Sequence, residues 1–138
     1  MPSTIQMKIC TDCKIEKPST DFYKSNSHRY GVMCYCKRCF NIRCSKRWIR
    51  RKIEAISYKG SVCERCKLHL KDTHYTVFDF HHSDPKEKDF DWSKMRLCSV
   101  KKLTNELDKC ILLCANCHRI IHAELSENEG FPEQPKSQ

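Results

Sequence analysis

Between Lys37 and Tyr58 the segment "KRCFNIRCSKRWIRRKIEAISY" contains neither Pro nor Gly, and Ile42, Trp48, Ile49, Ile53 and Ile56 recur near helical spacing. The pattern predicts a helix, with Gly60 as its stop signal. "YTVFDF" is β-branched and aromatic and predicts a strand, and "SDPKEKD" after it predicts a polar turn. In "SVKKLTNELDKC" the positions Val100, Leu103 and Leu107 fall at helical spacing and predict a second helix. "ILLCANCHRIIHAEL" is expected to begin as a short strand or turn and become a helix that carries His118 and His122. Near the start, "KPSTDFY" predicts a turn followed by aromatics that can form a small core. "SENEGFPEQPKSQ", residues 126–138, is polar with one Gly and two Pro and predicts a disordered tail. Short strands interspersed with helices make the fold class α+β.

Composition changes this picture in one respect. A chain of 138 residues with 39% hydrophobic residues builds only small cores, which need staples. Twelve cysteines are available for that purpose. "MPSTIQMKIC" has no apolar signal region, and no stretch approaches membrane-spanning length. A reducing interior is therefore expected, where Cys-x-x-Cys spacings favour zinc over disulfides. A disulfide-linked extracellular module is disfavoured on the same grounds, and no membrane partner is expected.

Four such pairs punctuate the chain: Cys10/Cys13, Cys36/Cys39, Cys63/Cys66 and Cys114/Cys117. In each, a tight turn lets two thiolates reach one tetrahedral ion. Sequential pairing closes a 22-residue spacer and then a 47-residue spacer, giving two four-cysteine zinc sites. Cys34, Cys44, Cys98 and Cys110 are left over and read as small buried hydrophobes or free thiols. Cys34 is an alternative ligand for the first ion, through "CYCKRC". The expected organisation is a zinc module over 7–43, a basic linker helix over 44–59, a second domain over 60–125 and the tail.

Charge follows that division. Residues 1–59 hold 14 Lys and Arg against 4 Asp and Glu, whereas residues 60–138 hold 12 against 13. Each closed four-thiolate zinc site adds −2, which brings the formal +9 to about +5. A basic half beside a near-neutral half points to a polyanion-anchoring module and a separate working module. Lys46, Arg47, Arg50, Arg51 and Lys52 form a dense basic cluster on the predicted helix, with Trp48 and Tyr58 nearby, and are expected to contact phosphates.

The candidate chemistry lies in "CANCHRIIH" and "FDFHHSDP". His118 and His122 are four residues apart, so a helix presents both imidazoles on one face. A single zinc collecting Cys114, Cys117, His118 and His122 would strand Cys63 and Cys66, and the Cys and His pairs are too close together for a Cys2His2 finger. A second, open metal site on His118 and His122 is expected, and it needs a third ligand. Side chains alternate along a strand, so His81 and His82 diverge. One can complete the site, and the other can act on substrate. A metal with open coordination beside a neutral imidazole suits hydrolysis of a phosphodiester, with the imidazole activating water. Arg119, next to His118, is a candidate phosphate contact, with a solvated helix residue as the alternative reading.

Together "CERC", "FDFHHSDP" and "ELDKCILLCANCHRIIH" resemble the HNH endonuclease family, whose core is a ββα-metal nuclease fold; the likeness covers about residues 60–123. The resemblance implies that His81 is a metal ligand and His82 the general base. His118 and His122 match the ligand pair on the core helix. Pro85 fits a proline that follows the base by three residues. Cys63, Cys66, Cys114 and Cys117 match a structural zinc. The family's central Asn, which ties down the loop between strands, is expected near position 109, where this chain has Lys109. Asn105, Asp108 and Asn116 are the substitutes within reach, and Asn116 also reads as a cap for the cysteine turn. More loosely, "CTDC", "KPSTDFY" and "CKRC" resemble a zinc-binding segment found ahead of HNH domains in some phage-type proteins, which implies DNA binding.

The expected activity is a DNA endonuclease with two structural Zn²⁺ and one catalytic divalent ion, Mg²⁺, Mn²⁺, Ni²⁺ or Zn²⁺. It would act in the cytoplasm of a bacterium or virus-infected host cell. A monomer would nick; cutting both strands would need a weak homodimer or a second binding event. The rival expectation is a non-catalytic zinc-binding nucleic-acid protein.

Overall fold

The long helix predicted from the Pro- and Gly-free segment forms over Lys37–Tyr58 (α1) in a computed structural model, which describes residues 6–89, 91–130 and 132. The chain divides into two units, 1–49 and 50–138, and the division falls inside this helix. Residues 44–59, expected as a separate linker, are therefore shared. Cys39 lies in the first turn of α1, while Ala55 and Ile56 near its end are buried in the cores of the second unit. The stop comes where expected: Gly60 at φ 88° and Ser61 at φ 62° turn the chain, and Ser61 N–H donates to Ile56 O at 3.0 Å.

The first unit holds two small antiparallel ribbons. Met7–Ile9 (β1) pairs with Glu16–Pro18 (β2), and Phe22–Lys24 (β3) pairs with Val32–Cys36 (β4) across an irregularity. Each ribbon is too short to be stable alone. What they share is a core of Cys10, Phe22 and Cys36, each at most 2% exposed, flanked by Cys13, Val32 and Cys39. Cysteine makes up most of that core, as its small apolar content requires.

The second unit is larger. After the turn come Phe78–His82 (β5), a loop, the short helix Trp92–Met95 (α2), Val100–Asp108 (α3), Cys110–Cys114 (β6) and Ala115–Asn128 (α4). β5 and β6 pair antiparallel in unbroken register, from Phe78 opposite Cys114 to His82 opposite Cys110. One core gathers Ile56, Cys63, Phe78, Leu112, Leu113, Cys114 and Cys117. A second gathers Ala55, Met95, Leu103 and Leu107, with Phe80 and Trp92 packed against it. The α+β class holds, in short antiparallel sheets with helices.

Several local expectations shift. Tyr75–Val77, read as the start of a strand, is a 3₁₀ turn; the His74 ring accepts from Thr76 N–H and offers the backbone a local alternative to the ladder. Val100 is 72% exposed, because it opens α3 immediately after the Ser99 cap. α4 runs to Asn128, so the first residues of the expected tail are helical; Phe131 and residues 133–138 of that tail lie outside the described residues.

Leu112, on β6, is fully buried in the core that also holds Cys63, Cys114 and Cys117. Leu112→Ala is expected to destabilise the zinc-loaded protein by about 2–5 kcal/mol in denaturant titration. Val100→Ala is expected to stay within about 0.5 kcal/mol of wild type.

Candidate metal centres and the histidine site

Both units use the same local device. In Cys10–Lys14, the N–H of Lys14 donates to Cys10 O at 2.9 Å and Lys14 takes φ 60°. In Cys63–Lys67, Lys67 N–H donates to Cys63 O at 3.0 Å at φ 62°. The left-handed residue closes the turn so that two thiols face the same side. The partner pair comes from a strand end and the helix that follows it. Cys36 ends β4 and Cys39 lies in the first turn of α1; Cys114 ends β6 and Cys117 lies in the first turn of α4. In the second unit Cys114 is itself the helix cap, with Sγ accepting from Cys117 N–H at 3.5 Å. Asn116, expected as the cap, is exposed instead.

The resulting groups are Cys10, Cys13, Cys36 and Cys39, and Cys63, Cys66, Cys114 and Cys117, each with its sulfurs within 4.8 Å of one another. Cys66 and Cys114 Sγ are 3.7 Å apart, far beyond a disulfide and close to the ~3.8 Å edge of a tetrahedral Zn–S₄ site. All twelve cysteines are unbridged. The donor chemistry also fits zinc. Burial opposes ionisation of Cys63, but backbone N–H groups of Cys66, Cys114 and Arg65 outweigh it and bring the thiol down to about 6. Cys10 is lowered to about 6 against burial by the N–H groups of Cys36, Cys13 and Asp12. Burial and the neighbouring thiols push Cys39 and Cys117 up to about 12. One thiolate forms readily in each cluster, and the last needs a cation. Cys34 stands outside the first cluster; it is half-buried, as are Cys44 and Cys98. Cys110 is buried, and its thiol is pushed up to about 11 by burial and by Glu106.

The third group of donors is His81, His118 and His122, again within 4.8 Å. The strand brings one imidazole and α4 brings two, one helical turn apart. Ring centroids are 5.2 Å (His81–His118), 5.1 Å (His81–His122) and 4.8 Å (His118–His122) apart, a nearly equilateral set. Nε2 of His118 and Nε2 of His122 are 3.1 Å apart, near the ~3.3 Å separation of two ligands on a tetrahedral zinc. Asp79 Oδ2 lies 3.1 Å from His118 Nδ1, which orients that ring with Nε2 toward the group. Burial and the three neighbouring imidazoles lower His81 from its ordinary value, which favours the neutral form a metal ligand needs.

His82 turns the other way, as strand alternation predicts. Its Nε2 is 2.6 Å from Glu106 Oε1 on α3, and both side chains are largely enclosed, 9% and 3% exposed. Glu106 Oε1 also accepts from Asp89 N–H at 3.1 Å, and Oε2 accepts from Lys109 Nζ at 3.1 Å. Lys109 Nζ further reaches Glu87 O at 3.1 Å and Asp89 Oδ2 at 2.5 Å, while Lys109 O accepts from Ser83 N–H at 3.0 Å. The residue at the expected Asn position thus ties down the loop after β5 with a cation. Asn105 is exposed, and Asp108 accepts from Tyr58 Oη at 2.7 Å instead.

A pocket in the second unit is lined by all four histidines and by Asp79, Pro85, Trp92 and Lys52. Of the basic residues expected to meet phosphate, Lys52 is the one on this pocket. Its Nζ lies 4.6 Å from the Phe80 ring centre and 4.9 Å from that of Trp92, and burial, partly offset by Asp79, lowers its ammonium from the ordinary value. Arg50 pairs with Glu54 at 3.8 Å, and Arg51 donates to Cys98 O. Arg47 stacks on Trp48 at 4.4 Å, and Lys46 and Arg119 are exposed. Sequence reading passed over Glu106 and Asp79. Both left a signal: Glu106 interrupts the apolar stripe of α3 between Leu103 and Leu107, and Asp79 is two strand positions from His81, on the same face.

Among protein-family models, curated proteins and solved structures, nothing matches this chain. Among the described residues no helix is long and apolar enough to cross a membrane.

Purified protein is expected to carry about two zinc ions per chain that resist mild chelation, by elemental analysis. Cys63→Ala/Cys114→Ala should hold about one; an unchanged count would show that this cluster is not a zinc site.

Proposed function

We propose that the protein is a metal-dependent DNA endonuclease of the HNH kind, with residues 60–125 as its ββα-metal nuclease domain. The observation that carries this reading is the divergence of two adjacent histidines within one pocket. His81 joins His118 and His122 in a three-nitrogen set, while His82 lines the same pocket on a separate hydrogen-bonded partner. The order of β5, β6 and α4 is the order that the resemblance implies.

His81, His118 and His122 would hold one divalent ion, Mg²⁺, Mn²⁺, Ni²⁺ or Zn²⁺. Three imidazoles bind the later transition metals more tightly, and cellular supply favours magnesium. When bound, the ion supplies Lewis-acid stabilisation of charge developing on the phosphoryl and leaving oxygens. His82 takes the proton from the attacking water. Lys52, half-stripped of water on the two rings, pairs with a non-bridging phosphate oxygen, and such a charge-assisted contact gains strength from the enclosure. Asp79 keeps His118 in the orientation for ligation. The basic first unit and the cationic residues Lys46, Arg47, Arg50, Arg51 and Arg119 supply sequence-independent contacts with the DNA backbone. The two zinc ions are structural.

Plasmid nicking tests this. Wild type is expected to relax supercoiled DNA with at least one of the four metals and to stop with chelator. His82→Ala should lose about 10²–10⁴-fold in rate while keeping its zinc count. Equal cutting by wild type and His82→Ala would remove His82 as the base. Wild type that binds DNA yet never cuts with any of the four metals would favour the non-catalytic reading.

Lys52→Ala is expected to lower kcat/KM by about 10–100-fold, the loss of a charged hydrogen bond to phosphate. Arg50→Ala, on the exposed face, should change it by less than about threefold at moderate salt.

A further inference from the structure

Glu106 is the one buried charged residue among the described residues, at 2% exposure. It stands on the face of α3 that buries Leu103 and Leu107, where an apolar side chain would serve packing without desolvating a carboxylate. What it contacts explains its presence. Asp89 N–H from the loop after β5 and Lys109 Nζ from the end of α3 hold its two oxygens, and Oε1 lies 2.6 Å from His82 Nε2. We infer that Glu106 is the positioning residue for His82: it fixes the imidazole ring and its tautomer and thereby sets which nitrogen faces the pocket. This rests on the nuclease reading above.

The argument is one of donors and acceptors. The Lys109 ammonium and the Asp89 amide both favour the ionised carboxylate, which can only accept, so His82 donates through Nε2–H. Nδ1 then keeps its lone pair. A ring free to rotate and to exchange tautomers would present a donor or an acceptor at the same place, and only the acceptor can take a proton from water. The arrangement is the base-plus-orienter half of a nucleophile–base–carboxylate relay, with water as the nucleophile. The same carboxylate holds Asp89, in the segment whose residues Pro85, Lys88 and Asp91 also line the pocket. Glu106 therefore ties the base and that pocket wall to one point on α3.

The test compares zinc-loaded wild type with Glu106→Leu, which fills the space, and Glu106→Gln, which keeps an acceptor. Nitrogen-15 shifts of His82 read the tautomer without reference to cleavage, and plasmid nicking reads kcat and KM. The wild type is expected to show Nε2–H. Glu106→Leu should show mixed tautomers and a kcat lower by about 10–100-fold with KM for DNA within about threefold. Glu106→Gln should recover most of both. An unchanged tautomer in Glu106→Leu overturns the inference, and so does a wild-type kcat in a protein that cuts. If Glu106→Leu loses its zinc or its cooperative unfolding, Glu106→Gln decides: the strongly downfield Nε2 proton of a short bond to a carboxylate must move upfield. A wild type that never cuts refutes the nuclease reading alone, because the tautomer comparison still tells whether Glu106 sets the ring.

Discussion

Four thiols held within 4.8 Å of one another cannot all ionise unless a cation sits among them, and the second unit is organised around that constraint. Its first thiolate is favoured by backbone donors, and its last is resisted by burial and by its neighbours. A divalent ion would resolve the conflict and tie together two cysteine pairs that lie 47 residues apart in sequence. One of these cysteines, Cys114, is at once the last residue of β6, the partner of Phe78 across the ladder and the cap of α4. Holding Cys114 therefore holds the register of β5 and the starting angle of the helix. His81 hangs on the first and His118 and His122 on the second. The histidine trio depends on the thiol cluster through this one residue.

The trio and its neighbour show how the same backbone serves two chemistries. A strand turns successive side chains to opposite faces, so His81 and His82 enter different environments from adjacent positions. On one face His81 meets two further imidazoles and a half-buried carboxylate, which suits a metal. On the other His82 meets a buried carboxylate braced by a lysine and a backbone amide, which suits a fixed ring. Lys52 completes the pocket from α1, where two aromatic rings shield its ammonium and make it available to an anion entering the same space.

Much of this was legible in residue spacing. Twenty-two residues without Pro or Gly, ended by Gly60, gave the bounds of α1 because helix start and stop are local decisions. The four Cys-x-x-Cys pairs were readable for the same reason: a five-residue turn in two of them, and a strand end running into a first helical turn in the other two, decides whether two thiols face one way. Local reading failed where a local competitor or an end effect intervened. His74 capped a 3₁₀ turn out of a strand-like segment, and Val100 fell on the open side of its helix start. The capping role expected of Asn116 belonged to Cys114, whose sulfur accepts from the Cys117 amide. Lys52 was indistinguishable from Lys46 or Arg50 in sequence, because a run of cations does not say which one meets a pocket.

By itself the sequence determined the donor sets, the divergence of His81 from His82 and the single helical face of His118 and His122. Each is a consequence of covalent geometry over a few residues. The partners were decided only by tertiary structure. His82 finds Glu106 across 24 positions and His118 finds Asp79 across 39, and neither separation carries a periodicity that could announce it. Such pairs exist because packing of α3 and α4 against one two-stranded sheet brings their side chains to the same place, and that packing is a property of the whole core.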